Sequence, residues 1–219
     1  MYKLLINAVE KLPSEVEEIH PNHLADTHFG IVAIAASAGG LKAVSEVIST
    51  LPANFPVPIA IVQHLDPKHR SMMADILSRR TKLQVKQAQD KELMNPGTIY
   101  IAPPNYHLLV TSQGHVKLTQ SEEIHFVRPS ADVLFESVAD SYKSGAIAVI
   151  LTGTGVDGAM GVRKIKEKGG TVIVEDSNTC EFDGMPNAAI RTGVVDQILP
   201  LSEIATALIT LVMGDNAGE

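Results

Sequence analysis

The sequence contains no tryptophan, a single cysteine and fewer basic than acidic residues, 18 against 25. With Cys180 alone, the chain can form no intrachain disulfide, which fits a reducing compartment. A formal net charge of −7 argues against nucleic-acid binding, because phosphates require a basic patch. No apolar run approaches the ~20 residues that span a bilayer. We therefore expect a cytoplasmic protein that neither binds nucleic acid nor inserts into a membrane.

The 219 residues suffice for one large domain or two small ones, and no linker or repeat divides residues 30–213. A hydrophobic fraction of 45% and a charged fraction of 20% argue against disorder. The first part of the chain is acidic and lacks the features of a signal peptide. Its histidines, His20, His23 and His28, would need a fourth group and a fixed scaffold to bind metal, so we interpret this segment as a solvated linker. The predicted boundaries are 1–28 for this extension, 29–213 for the domain and 214–219 for a flexible tail.

The most informative pattern is the apolar run Ile31–Ala36, which ends at Ser37 and two glycines. A run that is apolar at every position indicates a strand buried on both faces, as in a parallel sheet. The glycines permit a tight turn into a helix, predicted to present Leu41, Val44 and Ile48 on one face. Ser37 is thus predicted at the carboxyl end of a strand, where open α/β sheets bind their ligands.

The rest of the domain alternates apolar runs with amphipathic segments, which predicts βαβ units around a parallel sheet. Short alternating runs in the middle, separated by turn residues, predict antiparallel hairpins added to that sheet. The final helix is predicted to begin with Ser202 as its N-cap. Further strands are predicted at 59–63, 146–152 and 171–174, a helix at about 71–80, and the alternating runs at 84–86, 98–101, 107–110 and 115–118.

Three polar residues follow three of the predicted buried strands: Ser37, His64 and Asp157. Loops that follow parallel strands emerge at one edge of the sheet, so these side chains can meet. A hydroxyl, an imidazole and a carboxylate are the groups of a nucleophilic triad, in which histidine takes the serine proton and the carboxylate orients histidine. The unperturbed pKa of histidine, ~6.5, suits this transfer of a proton from and back to serine.

Two glycine-containing turns supply backbone N–H groups that can hold an oxyanion. The candidates are Ala38 and Gly39 in one turn and Thr154 and Gly155 in the other. The alternative is that the serine only caps a helix or forms a turn. The order Ser–His–Asp differs from the familiar orders, and the Gly-x-Ser-x-Gly, P-loop and Rossmann patterns are absent.

Several motifs, in order, resemble those of the CheB-type protein-glutamate methylesterases of bacterial chemotaxis. The motifs are Ala36–Gly40, Gln63–His64, Ile101–Pro103, Arg128–Phe135, Leu151–Gly158 and Gly184–Pro186. The resemblance spans about residues 30–212. It implies a doubly wound, mostly parallel α/β sheet flanked by helices, with an antiparallel hairpin insertion.

The resemblance also implies an activity: hydrolysis of γ-glutamyl methyl esters on chemoreceptor helices, and in many members deamidation of receptor glutamines. Ser37 would be the nucleophile, His64 the general base and acid, and Asp157 the group that orients His64. No metal or other cofactor is implied. Arg128 and Met185 would line the substrate groove, with a helix-start salt bridge and a plain turn as the respective alternatives.

The sequence departs from the family pattern at Ala38, Thr154 and Val156, where many members have Thr, Met and Asn. Typical members also carry a receiver domain, which about thirty residues cannot form. We therefore expect a stand-alone enzyme, an excised domain, or a member regulated in trans by a separate response regulator or kinase. Two other functions remain open: an inactive signalling or scaffold module of the same fold, and a phosphate- or nucleotide-binding module.

Overall fold

Seven parallel strands form the central sheet of the protein, whose computed structural model describes residues 29–64 and 71–214. The strand order is β3-β4-β2-β1-β7-β8-β9, and every paired neighbour runs parallel. The strands are β1 (Ile31–Ala36), β2 (Ile59–Gln63), β3 (Gln84–Gln87), β4 (Thr98–Ile101), β7 (Ala146–Ile150), β8 (Thr171–Glu175) and β9 (Gln197–Leu199). An antiparallel pair, β5 (His107–Val110) and β6 (Val116–Thr119), forms a second sheet.

Helices cover both faces of the large sheet, as a parallel sheet requires. The apolar residues of α1, α2 and α6 pack on one face, and those of α3, α4, α5 and the β5–β6 hairpin pack on the other. No helix in the described part of the chain is long and apolar enough to cross a membrane. The helices are α1 (Gly40–Ser49), α2 (Met73–Leu77), α3 (Ala131–Tyr142), α4 (Ala159–Glu167), α5 (Gly184–Ile190) and α6 (Leu201–Met213), with a 3₁₀ turn at Lys143–Gly145.

The predicted mostly parallel α/β fold with an antiparallel hairpin is confirmed, but two of the four middle strands were placed wrongly. Strands β3 and β4 are parallel members of the large sheet, and only β5 and β6 form a hairpin, which is separate from that sheet. Residues 88–97 cross from β3 to β4 and pair with the hairpin on the way: Met94 N donates to Gly114 O and Lys91 N donates to Val116 O. This long-range pairing has no local signal in the sequence.

Several helix predictions also need correction. Helix α2 has five residues rather than about ten. Leu41 points partly to solvent, at 40% exposure, while Ala43 and Val47 join the buried face of α1. Ser202 lies within the first turn of α6, and Pro200 holds the N-cap position. The short elements β9 and α5 were not predicted.

Some of the predicted regions lie outside the described residues. These are the N-terminal extension with His20, His23 and His28, and the tail beyond residue 214. The domain boundaries therefore stay predictions.

The chain reverses its direction of winding next to β1, at the centre of the sheet. From β1 the chain passes to β2 on one side and later returns to β7 on the other. The loops that follow β1 and β7 thus leave the carboxyl edge in different directions and open a crevice between them. Such a switch point is where open α/β sheets bind ligands.

Candidate active site

Ser37 follows β1 directly and is held through its backbone on two sides. Its N–H donates to Thr152 O at 3.0 Å, and its carbonyl accepts from Gly40 N at 2.9 Å and from Gln63 Nε2 at 2.6 Å. The N-cap of α1 is Gly39, with φ of 77° and no side chain bonded to the cap. Ser37 therefore does not cap α1, but its carbonyl accepts from Gly40 N, so it does begin the turn that leads into this helix.

His64 follows β2, the strand next to β1. Its N–H donates to Ala36 O at 3.1 Å, which continues the parallel ladder one step beyond the strand. The side-chain amide of Gln63 donates to the carbonyls of both Ser37 and His64, at 2.6 and 3.2 Å. This buried glutamine therefore joins the two loops that carry the predicted nucleophile and base.

Asp157, which follows β7, meets His64 across the crevice. Its Oδ2 lies 2.8 Å from His64 Nε2, and both side chains are largely buried, at 3% and 12% exposure. The two residues are separated by 93 positions in the sequence, so only the parallel arrangement of the strands brings them together.

The first turn of α3 donates three further hydrogen bonds to the Asp157 carboxylate. Ser130 Oγ donates to Oδ1 at 2.7 Å, Asp132 N donates to Oδ1 at 3.2 Å, and Ala131 N donates to Oδ2 at 2.6 Å. Helix N-termini favour anions because their first N–H groups have no partner within the helix. The N-terminus of α3 is thus an anion site occupied by a side chain of this same protein.

These bonds keep Asp157 ionised. Burial raises the pKa of this carboxyl, but the hydrogen bonds from His64, Ala131 N and Ser130 outweigh it, so the pKa lies below the usual value of 3.8. A carboxylate can only accept hydrogen bonds, so Nε2 of His64 must carry the proton of this contact. In neutral His64 the lone pair is then on Nδ1, whereas in the serine proteases the carboxylate faces Nδ1.

Asp132 is a second buried carboxylate beside Asp157. Its Oδ1 accepts from Gly161 N at 2.7 Å, which ties the start of α3 to α4. Burial, followed by the negative charge of Asp157, raises the pKa of Asp132. His125 Nε2 lies 3.3 Å from Oδ2, but without hydrogen-bond geometry, so Oδ2 has no hydrogen-bond partner.

Thr152 and Gly153, at the end of β7, shape the crevice around Ser37. Thr152 N donates to buried Glu175 at 2.8 Å, and Thr152 Oγ1 lies 3.1 Å from Ala38 O. A Cβ on Gly153 would come within 2.8 Å of Ser37 Cβ and 2.4 Å of Met185 Sδ. Only glycine at this position lets all three residues pack together.

The other predicted site residues fall in different surroundings. Met185 is fully buried in α5, directly behind Gly153. Thr154 and Gly155 are exposed and line a cleft of about 480 Å³ that extends towards Glu181 and Asp183. The Arg128 guanidinium donates to Asn105 Oδ1 at 2.8 and 3.0 Å, so it joins two loops.

The sequence pattern did not point to Ser130, Gln63, Thr152 or Gly153 as parts of this site. Ser130 is the N-cap of α3, where its side chain also accepts from Val133 N. Its bond to Asp157, 27 residues away, could not be read from local spacing. Gln63 alone had a local signal: it is a polar residue at the end of an otherwise apolar strand, directly before His64.

A family model described as CheB methylesterase matches residues 32–208 of the chain. The chain belongs to the CheB methylesterase family. A relative from Leptospira interrogans, named putative protein-glutamate methylesterase/protein-glutamine glutaminase, is 41% identical over 84% of this chain and 95% of its own length. The protein-glutamate methylesterase/protein-glutamine glutaminase of Thermotoga maritima is 45% identical, and FrzG of Myxococcus xanthus, a protein-glutamate methylesterase, is 43% identical.

The match to the last two relatives covers 83% and 82% of this chain but 54% of their length, so this CheB-family chain spans about half of each. The crystal structure of the Thermotoga maritima CheB methylesterase catalytic domain superposes with a TM-score of 0.81 at 44% identity. That match covers 84% of this chain and 99% of the other. The shared fold is thus that of the family's catalytic domain.

Proposed function

We propose that this chain is a cytoplasmic serine hydrolase that removes methyl esters from glutamates of chemoreceptors in chemotaxis. Ser37 is the nucleophile, His64 the general base and acid, and Asp157 the group that orients His64. The observation that carries the proposal is the 2.8 Å contact between His64 and the ionised Asp157, whose carboxylate accepts three further hydrogen bonds. His64 follows β2, the strand next to the one that Ser37 follows. Family membership and the names of the relatives support the choice of substrate.

The reaction proceeds in two halves. His64 takes the Ser37 proton as Oγ attacks the ester carbonyl carbon, and it then gives that proton to the departing methoxide, which leaves as methanol. Water next attacks the acyl-serine with His64 again accepting a proton, and the free glutamate leaves as Ser37 recovers its hydrogen. Throughout, ionised Asp157 stabilises the imidazolium that forms on His64.

The oxyanion of each tetrahedral intermediate is assigned to backbone N–H groups of the turns that follow β1 and β7. The candidates are Ala38, Gly39, Thr154 and Gly155. Since these donors are main-chain groups, the departures from the family pattern at Ala38 and Thr154 leave them in place.

The same steps hydrolyse a glutamine amide when His64 protonates the leaving nitrogen, which departs as ammonia. Relatives are named for both activities. We therefore propose deamidation of receptor glutamines as a second reaction of the same site.

Exposed apolar side chains beside Asp157 support a protein as the substrate. Phe126 is 95% exposed, Met160 58% and Val156 47%. Val156 directly precedes Asp157. Met160 is next to Gly161 and Phe126 is next to His125, and these two neighbours both contact Asp132. Exposed apolar surface marks protein-binding sites when it adjoins a functional group, and a chemoreceptor helix that reaches Asp157 would cover these side chains.

Methanol release from a methylated receptor fragment tests the proposal. The wild type should release methanol, Ser37→Ala should not, and the control variant Ser49→Ala, at the far end of α1, should match the wild type. Equal release by wild type and Ser37→Ala would contradict the assignment of the nucleophile. Receptor binding without any release by the wild type would instead identify an inactive signalling module.

A further inference from the structure

A fully buried histidine lies outside the three proposed catalytic residues but is connected to them. His107 begins β5 in the antiparallel hairpin and has no solvent exposure. Its Nδ1 lies 3.2 Å from the backbone N of Ser130, and its Nε2 lies 3.0 Å from the carbonyl oxygen of Glu122.

These two partners define the protonation of the ring. A carbonyl oxygen only accepts, so Nε2 carries a hydrogen and donates to Glu122 O. A backbone N–H only donates, so Nδ1 presents its lone pair to Ser130. His107 is therefore neutral, and a proton on Nδ1 would face the Ser130 N–H directly.

Ser130 connects this histidine to Asp157, the group proposed to orient His64. Its N–H is bonded to His107, and its Oγ donates to Asp157 Oδ1 at 2.7 Å. As the N-cap of α3, Ser130 also sets where the next two N–H groups, those of Ala131 and Asp132, meet the carboxylate. The hydrogen bond that Ser130 N donates to His107 thus orients Ser130, the first of the three residues that donate hydrogen bonds to the Asp157 carboxylate.

We propose that His107 is a positioning residue of the esterase, which acts through Ser130 to hold Asp157 in line with His64. This inference rests on the proposed function. It also gives the hairpin a role: β5 braces the start of α3 through the hydrogen bond that Ser130 N donates to His107. Placement errors of about 1 Å in such a support can lower a rate by ~10²-fold.

Two amide variants separate this role from mere filling of the core. The side-chain oxygen of Asn can stand near the position of Nδ1, while the amide nitrogen of Gln can stand near the position of Nε2. His107→Asn can therefore keep the bond to Ser130, and His107→Gln can keep the bond to Glu122. Both variants are neutral, and Gln is closer to histidine in volume.

The expected order of kcat for methyl-ester hydrolysis is wild type, then His107→Asn within about fivefold, then His107→Gln lower by about 10²-fold. KM should change by less than about twofold, because His107 does not contact the substrate. Labelling of Ser37 by a small sulfonyl fluoride should follow the same order as kcat. A Gln variant as active as the Asn variant, or a kcat order that only follows the order of thermal stability, would overturn the proposal.

A double-mutant cycle keeps the test decisive if either single variant is unstable. In an Asp157→Asn background, where the carboxylate that these bonds orient is gone, His107→Gln should lower kcat further by less than about threefold, because residues that act through one another are not additive. If the effects of the two substitutions on kcat are fully additive, His107 acts by a route that does not pass through Asp157. A wild type with no esterase activity would refute the proposed function, whereas an active wild type with the wrong variant order refutes only the positioning role.

Discussion

The residues beside Ser37 are selected for their lack of bulk. Gly153 is the clearest case, since its missing Cβ leaves the space that Ser37 and Met185 occupy. Thr152 adds fixed hydrogen bonds on the other side of the same strand end. The predicted nucleophile is thus placed as much by small and polar neighbours as by its own strand.

Replacing Gly153 with alanine should reduce kcat by about 10²-fold, because the new methyl displaces Ser37. Methanol release at saturating substrate measures the effect. Gly193→Ala is the control: its Cβ would meet nothing within 4 Å, although its φ of 75° costs roughly 1–2 kcal/mol of stability. That variant should lose stability but keep its kcat, and a normal kcat in Gly153→Ala would contradict the packing argument.

Cys180 should be an unreactive thiol, despite lying beside the cleft at Thr154 and Gly155. Burial, followed by the negative charge of Glu175, raises its pKa to about 12. Since the thiolate is the reactive form, alkylation by iodoacetamide at pH 8 should be slower than that of a free cysteine, on the order of 10²-fold or more. Unfolding in urea should raise the alkylation rate to that of a free cysteine. Fast labelling of Cys180 in the native protein would contradict the raised pKa of its thiol.

At the scale of elements, the turn between Gln120 and Arg128 places an aromatic side chain in solvent. His125 and Phe126 have φ of 51° and 63°, a conformation that bulky residues rarely adopt. Reciprocal bonds between Ile124 and Val127 close this turn, at 3.0 and 3.3 Å. The turn holds Phe126 outward even though burial would favour the opposite.

Phe126→Ala should raise KM for a methylated receptor fragment by about tenfold, because an apolar contact of roughly 1.5 kcal/mol is lost. Ile198→Ala is a matched control, since Ile198 is 47% exposed in the edge strand β9. Steady-state kinetics of both variants give the comparison. Equal KM values for the two would show that the substrate does not touch Phe126.

The elements were predictable from the sequence to the extent that their signals were local. The apolar run of β1 and the polar residue that follows it identified both a buried strand and Ser37. The short runs of β3 and β4 misled. The edge strand β3 shares its pattern with a hairpin strand, and nothing local in β4 shows that it pairs in parallel with both β3 and β2. Ser130 and His107 could not be connected to Asp157, since all three come from segments distant in sequence.

At the scale of the whole molecule, buried acids make stability depend on pH in opposite directions. Asp157 has a lowered pKa, so its contribution is present above the unfolded value of about 3.9 and is lost as the pH falls through the folded value. Glu175 has a raised pKa, caused first by burial. Its contribution is present below the ordinary value of 4.5 and is lost as the pH rises through the folded value.

Glu175→Gln should therefore gain stability relative to the wild type as the pH rises from 5 to 8. The amide oxygen can still accept from Thr152 N, and it has no charge to desolvate. Urea unfolding at both pH values measures the difference in free energy of unfolding between the two proteins. A difference that stays constant or shrinks between pH 5 and pH 8 would show that Glu175 does not titrate in this range.

The separation of the β5–β6 hairpin from the large sheet has a consequence for how the molecule opens. Amide protons of β1, β2 and β7 are enclosed by neighbours on both sides, and their exchange with solvent should require global unfolding. We expect the hairpin to open as a smaller cooperative unit, at a lower free energy than the sheet. Native-state hydrogen exchange should then show the amide of Leu109, which is paired with Lys117 in the hairpin, exchanging before those of β1, so that heat or mild denaturant would switch off the esterase while the central sheet is still intact.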